Sequence, residues 1–223
     1  MMDSLSRTVA VTGHYGSGKT NLSINIALAL KSQGRGVVLA DLDVVNPYFR
    51  GADFKGLAAK NGIRLIASAY AGSNLDIPAI AGELGTCLGG EDTVIIDVGG
   101  DSDGAYALGR YAPKISQQTY DMIFVVNFFR LMTKTAEQAA AYMREIEAAC
   151  RLKATSIVNN SNVSEQTTPE DIALSIREAA RLAEITQRPL LFSSVRRDIA
   201  ERLGEQIEAI FPIQVYVKTP WAD

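Results

Sequence analysis

The run Gly13-His14-Tyr15-Gly16-Ser17-Gly18-Lys19-Thr20, with Asn21 directly after it, sets four residues between Gly13 and Gly18-Lys19-Thr20. Glycines at this density let the backbone curl so that successive N–H groups point inward at phosphate oxygens. A helix opening after the loop adds the partial positive charge of its N-terminus. In such a cradle Lys19 reaches the β- and γ-phosphates of a nucleotide, and the Thr20 hydroxyl binds the Mg²⁺ that bridges two phosphates. The alternative, a chance glycine turn, lacks the flanking strand and helix that this segment has.

Carboxylates stand where the same chemistry needs them. "TVIID" ends in Asp97, followed by Val98-Gly99-Gly100. An aspartate at a strand end there holds the water shell of Mg²⁺, and the glycine pair leaves room for a γ-phosphate. "LADLDVVNPYFRG" carries Asp41 and Asp43, which orient water for attack or order the waters of the metal. Solvated loop acids are the plainer alternative for this pair.

These groups need elements to hold them. Short apolar runs alternate with helical stretches. Strands are expected at Thr8–Thr12, Val37–Asp41, Ile63–Ala67, Thr93–Asp97, Asp121–Asn127 and Ala154–Asn159, then in "PLLFSS" and "IQVYV". Helices are expected at Lys19–Gln33, Gly56–Asn61, Ile77–Leu88, a stretch ending near Pro113, Lys134–Cys150 capped by Thr133, Thr168 to Thr186, and Arg197–Ile210. Thr168-Pro169-Glu170 is a strong start signal: a hydroxyl cap, proline at the first position and an acid in the first turn. The alternation implies βαβ units, and non-alternating apolar strands imply burial on both faces. The expected fold is α/β: a mostly parallel sheet with helices on both faces, ligands lying at the carboxyl ends of its strands.

The 223 residues suit one nucleotide-binding domain spanning 1–223. A net charge of −3 supplies no global basic field, so neither nucleic acid nor an anionic membrane is an expected partner. Cys87 and Cys150 form no CxxC pair, which argues against a structural zinc or a self-contained cysteine-ligated cluster. No apolar stretch approaches the ~18 residues of a membrane span, and no secretory signal is visible, so the cytoplasm is the expected location.

Three stretches taken together, "TGHYGSGKTNLSINIALAL", "VVLADLDVVNPYF" and "TVIIDVGGD", resemble the MinD/ParA/Mrp group of P-loop ATPases, the deviant Walker A class that includes the nitrogenase iron protein. The resemblance implies a P-loop NTPase fold, ATP with Mg²⁺, and a nucleotide-dependent homodimer or protein partner. It makes Asp43 the water-orienting aspartate of the first switch, Asp41 the aspartate two residues before it, and Asp97 the Walker B aspartate. The second switch would include Gly99, Gly100 and Asp101, with a γ-phosphate contact by the Gly99 or Gly100 backbone. The asparagine that contacts the purine falls at Asn159, or at Asn160. A guanine site would read Asn-Lys-x-Asp; here Asn159-Asn160-Ser161-Asn162 lacks the carboxylate, which favours ATP over GTP.

One position departs from the family pattern. Its loop carries an additional lysine second in the motif, which in family dimers crosses to the partner's phosphates; here that position is His14. Histidine is shorter, and as a residue type changes charge near neutral pH. A phosphate or interface role and a loop-shaping role both stay open for it. Asn127 and Arg130 lie at another strand's carboxyl end, as candidates for contact with nucleotide or partner. The implied function is a slow ATPase switch that serves maturation or regulation of a partner. The alternative is an ATP-dependent carboxylate-activating enzyme of the dethiobiotin synthetase or cobyrinate amidotransferase type, with Asp53–Ala79 lining a substrate pocket.

Overall fold

The computed structural model describes residues 2–43, 52–67, 77–203 and 209–217. Eight strands form one sheet: β1 (Thr8–Gly13), β2 (Val37–Asp41), β3 (Arg64–Ile66), β4 (Thr93–Asp97), β5 (Asp121–Val126), β6 (Ser156–Asn159), β7 (Leu190–Arg196) and β8 (Ile210–Ile213). Their order is β3-β2-β4-β1-β5-β6-β7-β8, and every pairing is parallel. The helices are α1 (Lys19–Ser32), α2 (Ala52–Lys60), α3 (Ile77–Cys87), α4 (Ser102–Gly109), α5 (Ala112–Ile115), α6 (Ala136–Cys150), α7 (Pro169–Thr186) and α8 (Arg197–Leu203).

Burial follows the strand period of two. Ala10, Val38, Ile96 and Phe124 point to one face, where they join Leu108 of α4 and Ala139 and Met143 of α6. Val9, Val11, Leu39, Ile95, Ile123 and Val125 point to the other, against Leu22, Ile26 and Leu30 of α1. Both faces are therefore dry, which is why these strands read as continuous apolar runs. The order changes direction around β1, whose neighbours are β4 and β5. A crevice opens at such a point, beyond the carboxyl ends of the strands.

The structure corrects several boundaries. Thr133 does not cap α6; its hydroxyl donates to the Asn127 carbonyl at 2.7 Å. Thr135 is the cap, in a reciprocal box with Gln138. Pro113 ends no helix but sits in the first turn of α5, where its missing N–H costs nothing. The last strand is Ile210–Ile213, not "IQVYV", so Ile210 belongs to β8 and not to α8, which is described over Arg197–Leu203, with 204–208 outside the described residues. Beyond Ile213 the chain leaves the ladder for α1: Gln214 N–H donates to Asn25 Oδ1 at 2.9 Å and Tyr216 N–H to Asn21 Oδ1 at 2.7 Å. Residues 44–51 and 68–76 lie outside the described residues. No helix among the described residues is long and apolar enough to cross a membrane.

Candidate functional site

β1 delivers the chain into the glycine loop, and α1 takes it away. Gly13, Gly16 and Gly18 have φ of 145°, 75° and 86°, all in the region that favours glycine. A Cβ on Gly13 would stand 2.2 Å from the Val125 carbonyl oxygen, and one on Gly18 would stand 2.2 Å from Asn160 Nδ2. The loop is closed on itself by Ser17 N–H donating to the His14 carbonyl at 3.1 Å. No side chain caps α1, so its first N–H groups have no N-cap side chain to donate to. The Ser17 hydroxyl is buried with no partner among the described residues. A buried hydroxyl without a partner among the described residues, beside the uncapped start of a helix, suits a bound anion.

Lys19 is 6% exposed, and its ammonium donates to the His14 carbonyl at 3.1 Å. Burial holds its pKa below the usual lysine value, against the opposing pull of Asp97, Asp43 and Asp101. Thr20 Oγ1 donates to Asp97 Oδ2 at 2.7 Å, and Ser23 Oγ donates to Asp97 Oδ1 at 3.0 Å. Burial is the main reason that the Asp97 carboxyl is pushed up to about 6; the Thr20 hydrogen bond, Lys19 and the Ser23 hydrogen bond work the other way. Asp41 and Asp43 are both buried at the end of β2, and Asp43 N–H donates to Asp41 Oδ1 at 2.8 Å.

The segment after β4 closes over the loop. A Cβ on Gly99 would lie 3.5 Å from Asp43 Oδ1. One on Gly100 would lie 2.7 Å from Lys19 Nζ and 2.6 Å from Tyr15 Cα. Asp101 caps α4 by accepting from Gly104 N–H at 2.8 Å. The ends of β1, β2 and β4 therefore bring Lys19, Thr20, Asp41, Asp43, Asp97, Gly99 and Gly100 to one place.

His14 turns inward. Its Nδ1 lies 2.7 Å from the Tyr15 carbonyl, which only accepts, so the proton is on Nδ1. The ring meets Tyr142 edge to face at 4.7 Å. The Tyr142 hydroxyl donates to the Gly100 carbonyl at 2.8 Å, so one α6 side chain touches both the loop and the segment after β4.

The crevice continues as a cavity of about 600 Å³ from His14, Lys19, Thr20, Asn21 and Asp43 to Asn160, Ser161 and Asn162, then to Thr167, Ile172, Val195 and Val215. Asn159 does not line it: its amide nitrogen donates to Ser175 and Ser193, and its oxygen accepts from Ser161 N–H and Oγ–H. All four hydrogen-bonding sites of Asn159 are thereby filled inside the protein. Asn160 does line it, while donating to the Ser17 carbonyl at 2.7 Å and accepting from Ser194 Oγ–H at 2.8 Å. Asn21 lines it too, with its side chain tied to residues 214–217. Sequence reasoning missed Ser194, Val195 and Arg196. The rule that ligands gather at strand carboxyl ends pointed to them once β7 was assigned.

A glycine loop between the central strand and its helix, with strand-end carboxylates beside it in a parallel sheet, defines a P-loop NTPase fold. The model of the CobQ/CobB/MinD/ParA nucleotide-binding domain matches residues 9–199, and the chain belongs to that family. No curated protein matches the sequence. Among solved structures, the cell division protein FtsY of Thermotoga maritima is similar at 20% identity and a TM-score of 0.58, over 84% of this chain and 61% of that one. A nucleotide-binding protein of Archaeoglobus fulgidus in complex with ADP is similar at 18% identity and a TM-score of 0.56, over 93% and 91%. The 54 kDa signal recognition particle protein of Aeropyrum pernix, in complex with GDP, is similar at 20% identity and a TM-score of 0.56, over 83% and 40%. This chain thus spans about three fifths of the FtsY length. At these identities the likenesses establish the fold.

Proposed function

We propose that residues 1–223 form one Mg-ATP-binding domain that works in the cytoplasm as a slow ATPase switch, closing a homodimer or engaging a partner when the nucleotide is bound. The observation that carries this reading is the meeting of the two strand-end segments on the loop: Gly99 against the Asp43 carboxylate, and Gly100 against the Lys19 ammonium. A γ-phosphate entering beside Lys19 would touch both segments, and its loss would release both. Almost every recognisable group here serves the phosphates, which favours a conformational output over chemistry on a second substrate.

The residues fit magnesium. Thr20 and Asp97 present a hydroxyl and a carboxylate 2.7 Å apart beside the loop, and Asp41 is buried at the neighbouring strand end. Magnesium usually keeps several waters and takes only one or two carboxylates with the substrate phosphates. When bound it would offset charge on the phosphates. Asp43, which lines the same cavity, would then serve as the water-orienting carboxylate, and Asn160 and Asn162 would border the purine. The absence of a carboxylate in that stretch favours adenine.

The test is direct. Calorimetry with Mg-ATP, Mg-ADP and Mg-GTP should show adenine nucleotides bound more tightly, and phosphate release should be slow without any additive. A large rise in turnover with one member of a panel of small carboxylic acids would instead favour a carboxylate-activating enzyme. No nucleotide binding at all would end the proposal.

A further inference from the structure

Carboxylates crowd the Lys19 ammonium. Lys19 faces Asp97, Asp43 and Asp101, and Asp41 lies at the same strand end as Asp43. A polyphosphate adds further negative charge to this group. His14 is committed to the Tyr15 carbonyl and the Tyr142 ring. Of the arginines lining the cavity, Arg196 is committed as well, through Nε and Nη2 to Asp198 and through Nη1 to the Ser164 carbonyl.

Arg130 is different. It follows β5, the strand next to β1, in a turn built on Asn127: Arg130 N–H donates to the Asn127 carbonyl at 3.1 Å, and Asn127 Oδ1 accepts from Phe129 N–H at 3.0 Å. Asn127 is itself fully buried and tied to the Asn162 carbonyl at 3.0 Å. From this fixed base the Arg130 side chain crosses the loop, its Nε donating to the Gly16 carbonyl at 3.1 Å. A Cβ on Gly16 would come 3.4 Å from Nε and 3.7 Å from Cζ, so the guanidinium lies directly over that glycine. Its two terminal nitrogens have no hydrogen-bond or ion-pair partner among the described residues, and the residue lines the same cavity as Lys19 and Thr20.

We propose that Arg130 is a catalytic residue that places a second fixed cation on the nucleotide phosphates from within the same chain, so that one protomer turns over ATP without a partner's basic residue. This rests on the reading of the loop as an ATP site. A planar guanidinium anchored by one nitrogen and open at two suits a phosphate edge, and it gains most where charge develops during transfer to water.

The test uses steady-state hydrolysis of Mg-ATP and equilibrium binding of a non-hydrolysable analogue, on the full chain and on Arg130→Ala, Arg130→Gln and Arg130→Lys. The wild-type rate per protomer should not change over a hundredfold range of protein concentration. Arg130→Ala and Arg130→Gln should lower kcat by about 100-fold with KM within about threefold, and Arg130→Lys should recover part of the loss. A rate that climbs with protein concentration overturns the claim of self-sufficiency. Unchanged kcat in Arg130→Ala, with binding intact, overturns the role of Arg130 and leaves the nucleotide site standing. Joint loss of binding and melting temperature, equal in all three variants, makes Arg130 a brace for Gly16 and overturns it too. A wild-type chain that binds no nucleotide fails the underlying reading instead.

Discussion

The Thr20 hydroxyl donates to the Asp97 carboxylate at 2.7 Å, joining the start of α1 to the end of β4 across 77 positions of sequence. This contact, with Ser23, does part of what a cation would do: it offsets some of the cost of a carboxylate that is 1% exposed.

That cost is visible in pH. Burial raises the Asp97 pKa from 3.8 unfolded to about 6 folded. Between these values the folded chain binds more protons than the unfolded one, so this group's contribution to stability falls as pH rises through the window. Above it the full penalty, about 3 kcal/mol, is in force. We predict that Asp97→Asn in the presence of a chelator is more stable than wild type at pH 8, with the gap closing as pH falls to about 4. Denaturant unfolding across that range measures it. A gap independent of pH would mean that Asp97 carries no such penalty. The same variant should lose the dependence of nucleotide affinity on magnesium.

Lys19→Ala should weaken Mg-ATP binding by at least about 100-fold, the scale of losing a charge-assisted contact in a water-poor site. The protein should still fold, since a buried ammonium whose pKa burial already depresses contributes little to stability by itself. Calorimetry beside a thermal melt separates the two, and an affinity equal to wild type would remove the phosphate assignment of the loop.

Gly100→Ala probes the closing segment. The new methyl group would sit 2.6 Å from Tyr15 Cα and 2.7 Å from Lys19 Nζ, inside the contact distance of both. Only the lysine end is free to yield, so Gly100 must retreat from the loop. Nucleotide affinity should fall by about tenfold or more while the far-ultraviolet spectrum stays unchanged. An affinity within twofold of wild type would show that the segment takes no part in binding.

Asp43→Asn should retain Mg-ATP binding within a few-fold and slow phosphate release by about 100-fold, because an amide still fills the space beside Gly99 but cannot accept a proton or order water in the same way. Undiminished release would take the water-orienting role away from Asp43.

What was legible in the sequence is what local chemistry fixes. The glycine loop, β1, β4 and α1 were readable because φ values near 80° at Gly16 and Gly18 require glycine, and because a strand buried on both faces is apolar throughout. Other features depend on which strand lands beside which. Asn159 and Asn160 are adjacent and identical in type. One spends its amide on Ser175 and Ser193 and the other faces the cavity, a difference set by the packing of α7 and β7. Thr133 and Thr135 are both plausible caps, and only the demand of the buried Asn127 turn for the Thr133 hydroxyl decides between them. The hold of Asn21 and Asn25 on residues 214–217 ends β8 earlier than its apolar pattern suggests.

The contact of His14 with Tyr142 yields the remaining prediction. Its ring is packed on Tyr142 and its Nδ1–H is spent on the Tyr15 carbonyl, so the side chain acts on the loop through shape before it acts through charge. His14→Ala should therefore cost about 1 kcal/mol of stability, the worth of an edge-to-face aromatic pair, and less than tenfold in Mg-ATP affinity. A loss near 100-fold would instead show the imidazole in contact with phosphate. His14→Lys gives up the same aromatic contact and sets a longer cation on the loop. If that position faces a second copy of the chain, light scattering with a non-hydrolysable analogue should show a larger dimer fraction than wild type. An unchanged mass would put His14 off any dimer axis, with Tyr142 as the neighbour its ring serves.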